Sequence, residues 1–212
     1  MKWFLKRVFD ILFSLLVIIF ISPIYVIIAI SILLTSKGPV FYSSTRLGKN
    51  GKIIKCYKFR TMHLDAEYRL INILNSNIAL KVEWEKFQKL KNDPRITKIG
   101  SFLRKTSLDE LPQFFNVLNG DLSVVGPRAF VMVGPKDKFV DEIKTYLGSY
   151  TEKILSVKPG ITGLWQISGR SNVTIEERIK IESEYIDNFS FLFDLKIILK
   201  TIPKMIFPNG AF

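Results

Sequence analysis

The segment Ser107-Leu108-Asp109-Glu110-Leu111-Pro112-Gln113 sets two carboxylates side by side. Adjacent carboxylates can hold a hard divalent cation through oxygen, and an aspartate can attack phosphorus as a covalent nucleophile. The same residues have a second reading. Ser107 followed three residues later by Glu110 is a capping box, which predicts a helix over 108–118 with Ser107 as its N-cap. Pro112 in the first turn and acidic residues at a helix start are ordinary there. On spacing alone both readings stand.

Several turn-rich segments bring cations next to glycines. They are Gly120-Asp121-Leu122-Ser123, Gly126-Pro127-Arg128, Lys158-Pro159-Gly160-Ile161-Thr162-Gly163 and, after Trp165-Gln166, Ser168-Gly169-Arg170. Backbone N–H groups at such turns, with Arg or Lys beside them, suit phosphate oxygens. A loop-rich domain also uses such turns simply to change direction. Together with a carboxylate pair they suit phosphoryl transfer, in which positioning and charge neutralisation supply most of the catalysis. Other chemistries are poorly served. His63 is the only histidine and Cys56 the only cysteine, which disfavours a His-based zinc site, a Ser-His-Asp triad and a disulfide framework. A lone cysteine agrees with a reducing compartment.

The elements that must position these groups begin with a membrane segment. Ile11 to Leu34 carries no charged side chain; as a helix it would measure roughly 36 Å, against a hydrocarbon core of about 30 Å. It is too long for a signal-peptide apolar region, and Thr35-Ser36-Lys37-Gly38-Pro39 reads as a turn without a cleavage site. Two features favour re-entry over spanning. Ser22-Pro23 lies near the midpoint, where a proline removes a backbone hydrogen bond and bends the helix. Positive charge also flanks both sides, with Lys2, Lys6 and Arg7 before and Lys37, Arg46, Lys49, Lys52, Lys55, Lys58 and Arg60 after, and such flanks stay cytoplasmic. A helix-break-helix over residues 1–36 is therefore expected to dip into the bilayer and return, Ser22 satisfying the carbonyl that Pro23 frees. A straight span is the alternative, because a downstream domain can override the charge bias.

Residues 37–212 are long enough for one domain with its own core. With 31 Lys+Arg against 19 Asp+Glu, the chain carries +12, which suits anionic headgroups, phosphorylated small molecules or nucleic acid. No zinc-finger, RNP or helix-turn-helix signature supports the last, and no nucleic-acid partner is expected. Ile53 to Phe59 reads as a strand. Leu64 to Leu90 reads as helix, with Leu70, Ile73, Leu74, Trp84, Phe87 and Leu90 as a packing stripe. Asp93-Pro94-Arg95 is a turn. Ile175 to Lys200 is helical in composition, and Phe189 to Phe207 is an amphipathic stretch suited either to the headgroup plane or to the core. The fold class expected is α+β, mainly helical.

Read in order, the chain resembles the bacterial sugar transferase family, monotopic phosphoglycosyl transferases that load a sugar phosphate onto polyprenol phosphate. The resemblance rests on Lys6-Arg7-Val8-Phe9-Asp10, Ser22-Pro23, Gly38-Pro39-Val40-Phe41, Arg46-Leu47-Gly48 and Lys58-Phe59-Arg60-Thr61-Met62. It continues through Asp93-Pro94-Arg95-Ile96-Thr97, Leu103-Arg104, the Ser107 to Gln113 run, Asn116-Val117-Leu118, Gly120-Asp121, Val125-Gly126-Pro127-Arg128, Lys158 to Gly163 and Ser168-Gly169-Arg170.

The resemblance implies a re-entrant membrane helix, a catalytic domain on the cytoplasmic face of a bacterial inner membrane, a UDP-sugar donor, a polyprenol phosphate acceptor, membrane-lipid contact and magnesium. It implies that Asp109 attacks the sugar-proximal phosphate, releasing UMP, and that Glu110 assists in metal binding or proton handling. Asp109 and Glu110 would thus be the metal ligands. Arg104 and Arg128 match arginines near the phosphates or nucleotide, and Lys58, Arg60, Arg95, Lys158 and Gln166 match more loosely. The spelling Gly163 to Arg170 is similar to members that transfer galactose or glucose phosphate, so an unmodified hexose is expected. The chain resembles a minimal catalytic unit serving capsule, exopolysaccharide, O-antigen or glycoprotein assembly, and a homo-oligomer is left open. Three departures stand out. Ala129 replaces a frequent proline, so the loop carrying Arg128 is expected to be less rigid. Glu182 stands where an aspartate commonly precedes Tyr185, and Leu122 replaces methionine. The competing reading is a membrane-anchored interaction protein with a degenerate site.

Overall fold

A computed structural model describes residues 2–87, 90–131, 136–168 and 173–206. Gly169, Arg170, Phe207 and the side chain of Phe87 lie outside what is described. The described architecture is mainly helical α+β. Helix α1 (Lys2–Thr35) leads into the β1–β2 hairpin (Phe41–Leu47 and Ile53–Phe59), then α2 (Ala66–Ser76), α3 (Ile78–Phe87) and α4 (Lys98–Lys105). After a 3-10 turn at Leu108–Glu110 come α5 (Gln113–Asn119), β3 (Ser123–Val125), β4 (Phe130–Val131), α6 (Lys136–Leu147) and α7 (Thr151–Leu155). The chain continues through β5 (Gly160–Thr162), α8 (Leu164–Ser168), α9 (Ile175–Asp187) and α10 (Phe191–Ile206). One antiparallel sheet has the order β2-β1-β4, and β3 pairs with β5 in parallel.

The expected strand over 53–59 and the expected helices over 64–90 form, the latter divided at Asn77. Period-two alternation decides what the hairpin offers the interior. Ile54 and Cys56 point into the core, and Lys58 follows on the same face. Across the register Arg46, Ser44 and Tyr42 pair with Ile54, Cys56 and Lys58, so the hairpin's inner face ends in cationic and hydroxyl groups.

Helix α1 corrects one expectation. Residues 2–35 form one helical element with Pro23 inside it, where a break was expected. The defect is repaired on the spot: the carbonyl deprived of its partner four residues before Pro23 is that of Ile19, and the Ser22 hydroxyl donates to it at 2.8 Å. In an apolar surrounding an unmet carbonyl is costly, so this local bond lets the helix continue.

The two halves of α1 both grip the same domain. Near the start, Lys6 donates to Asp194 at 2.6 Å, and Arg7 caps the end of α5 by donating to the Val117 and Leu118 carbonyls at 2.5 and 2.9 Å. Asp10 accepts from the Ser123 hydroxyl at 2.7 Å and the Val124 N–H at 3.1 Å. Asp194 in turn lies 2.8 Å from the Tyr185 hydroxyl. Removing one member of such a buried charged network costs about 3–5 kcal/mol, which accounts structurally for the Lys6-Arg7-x-x-Asp10 word. Near its end, Ile28 and Ile32 enter the core, and Arg60 donates to the Ser36, Lys37 and Gly38 carbonyls just past the helix. The opposite face of α1, including Phe4, Leu12, Leu16, Phe20, Ile27 and Leu34, is exposed and apolar.

Candidate active site

Ser107 adopts a left-handed conformation, φ 58° and ψ 16°, and makes no side-chain cap. Only Asn50 shares positive φ among the described non-glycine residues, and such backbone costs a side-chain-bearing residue about 1–2 kcal/mol. The predicted capping box at Ser107 and Glu110 therefore does not form, and the predicted helix over 108–118 divides. A 3-10 turn carries Asp109 and Glu110, and α5 starts afresh at Gln113 with Pro112 as its N-cap. The capping box belongs elsewhere, to Thr174 and Glu177 at the start of α9. Released from capping, Glu110 reaches across the site instead.

Lys58 Nζ lies 3.1 Å from Asp109 Oδ2 and 2.8 Å from Glu110 Oε1. Arg128 grips Glu110 with two bonds, Nη1 to Oε2 at 3.0 Å and Nη2 to Oε1 at 2.5 Å. Bidentate pairing of this kind fixes orientation as well as charge. Burial acts to raise the Glu110 carboxyl, but the charges of Arg128 and Lys58 outweigh it and hold Glu110 well below the usual carboxylate range. Asp109 goes the other way: burial, aided by the Glu110 charge, pushes it up against the opposition of Lys58 and Arg104. The pair is split by environment into a fixed anion and a more basic, less satisfied one.

The site opens into a cavity of about 680 Å³. Its lining holds Arg46, Lys58, Arg104, Arg128 and Arg178 against only Asp109 and Glu110, a cationic excess that suits a diphosphate. Arg104 Nε donates to the Thr61 hydroxyl at 2.9 Å, and Arg46 to the Ala129 carbonyl at 3.0 Å. The Arg128 loop, where Ala129 stands, is tied on several sides. Its Arg128 N–H donates to Glu182 Oε1 at 2.9 Å, Arg178 donates to the Arg128 carbonyl at 3.2 Å, and the Gly160 N–H donates to the Pro127 carbonyl at 2.8 Å. The chains approach so closely here that a Cβ on Gly160 would lie 2.1 Å from the Gly126 nitrogen. Glu182 is fully buried, and burial raises its carboxyl to about 7. Arg178 lies between the rings of Phe130 and Trp165, at 4.6 and 4.7 Å.

Of the residues expected from the sequence, the structure gathers Asp109, Glu110, Lys58, Arg104, Arg128 and Gln166 around this cavity. Arg60, Arg95 and Lys158 do not line it. Arg60 closes the end of α1. Arg95 binds Asp93 through Nη2 at 2.6 Å and stacks on Trp84 at 4.9 Å, which bears out the turn. Lys158 sits near Arg7 at Gly120. Ser22 and Pro23 belong to α1 alone.

Sequence reading missed Arg46, Arg178, Asn116 and Tyr25. The alternation Tyr42-x-Ser44-x-Arg46 and the four-residue spacing of Arg178 and Glu182 were available signals. For Asn116 the only signal was the word Asn116-Val117-Leu118, without a role: its buried amide accepts from the Tyr57 N–H at 2.8 Å and donates to the Lys55 carbonyl at 2.7 Å, standing in for a strand beside β2.

No cluster of three potential metal ligands occurs among the described residues. Magnesium commonly takes one or two carboxylates and completes its shell with water and substrate phosphate. The donor set here fits that mode: Lys58 takes Asp109 Oδ2, and no described residue donates to Oδ1.

A sequence model of the bacterial sugar transferase family matches residues 1–208. The chain is 42% identical over 209 residues to undecaprenyl-phosphate galactose phosphotransferase of Salmonella typhimurium, covering 99% of this chain and 42% of that protein. It is 42% identical over 207 residues to exopolysaccharide production protein ExoY of Sinorhizobium fredii, covering 98% and 88%. It is 39% identical over 213 residues to UDP-glucose:undecaprenyl-phosphate glucose-1-phosphate transferase of Escherichia coli, covering 98% and 41%. The chain thus spans about two-fifths of the length of the first and third of these relatives and most of ExoY.

Proposed function

The chain belongs to the bacterial sugar transferase family, and from that premise we propose that it moves a hexose-1-phosphate, galactose or glucose, from a UDP-sugar to undecaprenyl phosphate. The observation that carries this reading is the Asp109–Lys58–Glu110–Arg128 constellation, in which one carboxylate is immobilised and the other left basic. An Asp109 carboxylate oxygen attacks the sugar-proximal phosphorus. A P–O bond forms, the bridging P–O bond breaks, and its electron pair leaves on UMP. An oxygen of the acceptor phosphate then attacks the same phosphorus, and the Asp109 carboxylate departs with the acyl-phosphate electron pair. Two displacements replace one direct encounter between anions.

Lys58, Arg104 and Arg128 offset charge on the diphosphate and on departing UMP, as preorganised cations do best in a water-poor site. Glu110 keeps Arg128 and Lys58 in place through both steps. Magnesium, held by Asp109 through Oδ1 together with the diphosphate, would supply further charge neutralisation, whereas Glu110 has both oxygens engaged by Arg128 and Lys58.

Residues 1–36 act as the membrane segment and 37–212 as the catalytic domain, on the cytoplasmic face of the inner membrane. Helix α1 enters and leaves by the same leaflet. The support is geometric: Lys6, Arg7 and Asp10 at one end and Ile28, Ile32 and the residues held by Arg60 at the other all bind one domain. A helix crossing the bilayer would drag that domain into it.

UMP release by detergent-solubilised protein with magnesium, across UDP-glucose, UDP-galactose and UDP-N-acetyl sugars, tests the chemistry. A stoichiometric burst without lipid, with phosphosugar retained on Asp109, is expected. Release from no donor, with or without lipid, would overturn the transferase reading in favour of a degenerate site. Thiol labelling of Trp3→Cys and Thr35→Cys in sealed inverted vesicles tests the topology; labelling of only one would defeat re-entry.

A further inference from the structure

The cavity that holds the carboxylate pair has a second chemical character. Besides the cations, its lining includes Phe13, Val17 and Ile21 of α1 and Ile198, Ile202 and Met205 of α10. The three α1 residues are four apart and so lie along one face of the helix. Ile198 and Ile202 repeat the spacing on α10.

The apolar trough has an exit. Ile202 lines the cavity and is also 51% exposed, so it stands at the mouth. Beside it Leu199 of α10 is exposed, and the outer face of α1 presents Leu12, Leu16 and Phe20. The trough therefore runs from the phosphate-binding charges to the apolar surface that α1 turns toward lipid. A bond between the hydroxyls of Thr162 and Thr201, 2.7 Å apart, ties α10 to β5 along the way.

A ligand matching this shape has an anionic head beside Lys58 and Arg104 and an apolar chain leading out between the two helices. Apolar wall with a few convergent polar groups is the usual composition of a ligand site. We infer that the trough between α1 and α10 receives the first isoprene units of the acceptor, so that the membrane helix is a wall of the active site as well as an anchor. The inference rests on the transferase reading and adds where the acceptor sits. The chain would emerge past Ile202 into the leaflet, and its phosphate would meet the phosphorus on Asp109 from the apolar side.

The test uses full-length protein in nanodiscs, in a preparation first assayed for UMP release. A polyprenol phosphate carrying a diazirine on its second isoprene unit is photolysed, and the labelled peptides are mapped. Label on 13–21 and 198–205, displaced by unlabelled polyprenol phosphate but not by a tenfold excess of phosphatidylglycerol, is the expected result. Label confined to other elements, or equally displaced by phosphatidylglycerol, would overturn the inference, the second outcome marking a general lipid groove. In parallel, Ile198→Trp should cut transfer to the long acceptor and to a two-isoprene phosphate alike, by about tenfold or more, whereas Leu192→Trp, at an exposed position of α10 outside the cavity lining, should keep both near wild type. Unchanged transfer to both acceptors in Ile198→Trp would count against the slot. If the preparation releases no UMP from any donor, it is the transferase reading that has failed, and the labelling pattern still reports whether the trough binds lipid.

Discussion

The Tyr25 hydroxyl, two residues past the proline of α1, donates a 2.6 Å hydrogen bond to the carbonyl of Leu111, the residue immediately after the Asp109-Glu110 pair. The Tyr25 ring packs edge-on against Phe59 and Phe115, at 5.4 and 6.1 Å. Phe59 follows Lys58 on β2. The turn of α1 that follows Pro23 thus contacts both stretches of chain that carry the charged site.

Tyr25→Phe keeps the ring packing and removes the bond. A hydrogen bond of this kind is worth about 1 kcal/mol net, which is about fivefold in rate if the whole effect falls on the transition state. UMP release should slow by that order while flotation with vesicles is unaffected. A variant with wild-type rates would show that the bond serves packing alone.

For the carboxylates, the expected outcomes differ. Asp109→Asn should abolish both the UMP burst and the phosphosugar adduct seen by intact mass. Glu110→Gln should retain a weak adduct but lose about 100-fold or more in rate, as loss of a preorganised electrostatic group does. The acid limb of the wild-type burst rate should lie above the ordinary aspartate value of about 3.9, because burial raises Asp109 and protonation removes the nucleophile. Lys58→Met should move that limb further up, since Lys58 opposes the rise.

Asn116 holds β2 at Lys55 and Tyr57, directly before Lys58. Asn116→Ala leaves both backbone groups without that partner, a loss of about 2–4 kcal/mol. Urea unfolding should register it. The sharper reading is positional: the acid limb of the burst should shift in the same direction as in Lys58→Met. A stability loss with an unmoved limb would restrict Asn116 to the core.

Glu182 links stability to pH. Its folded value of about 7 lies above the ordinary 4.5, so between those pH values the folded state keeps a proton that the unfolded chain releases. Its contribution is fully present below 4.5 and is lost as pH rises through 7. Across that window unfolding free energy of the wild type should fall by up to about 1.4 kcal/mol per pH unit relative to Glu182→Gln. Parallel stability curves for the two proteins would remove the assignment.

Much of this molecule is local and therefore legible in the chain. The apolar run, Ser22 beside Pro23, the 53–59 alternation and the Asp93-Pro94-Arg95 turn each depend on neighbours a few residues away. Their physics is that of backbone hydrogen bonds and side-chain period. The acidic pair was legible as a candidate, yet Ser-x-x-Glu pointed equally to a helix cap. That ambiguity was resolved by Lys58 and Arg128, 52 and 18 residues distant from Glu110, whose charges outcompete the Ser107 backbone N–H for the same carboxylate.

The arginines and lysines divide on the same principle. Composition declares a surplus of cations without saying which ones converge. Arg60 and Arg95 also stand in motif spellings, though looser ones than Arg104 and Arg128, and one closes a helix end while the other pairs with Asp93. Arg46 and Arg178 reach the cavity because a hairpin face and a long helix happen to point there. By itself the sequence determined an apolar segment long enough to enter a membrane, most of the element types and the acidic pair as a candidate, since these follow from short-range pattern. Only the tertiary structure decided which cations surround that carboxylate, how its neighbour is immobilised and that α1 and α10 wall one cavity with it. Convergence of that kind depends on contacts between residues far apart in the chain, and no local pattern encodes it.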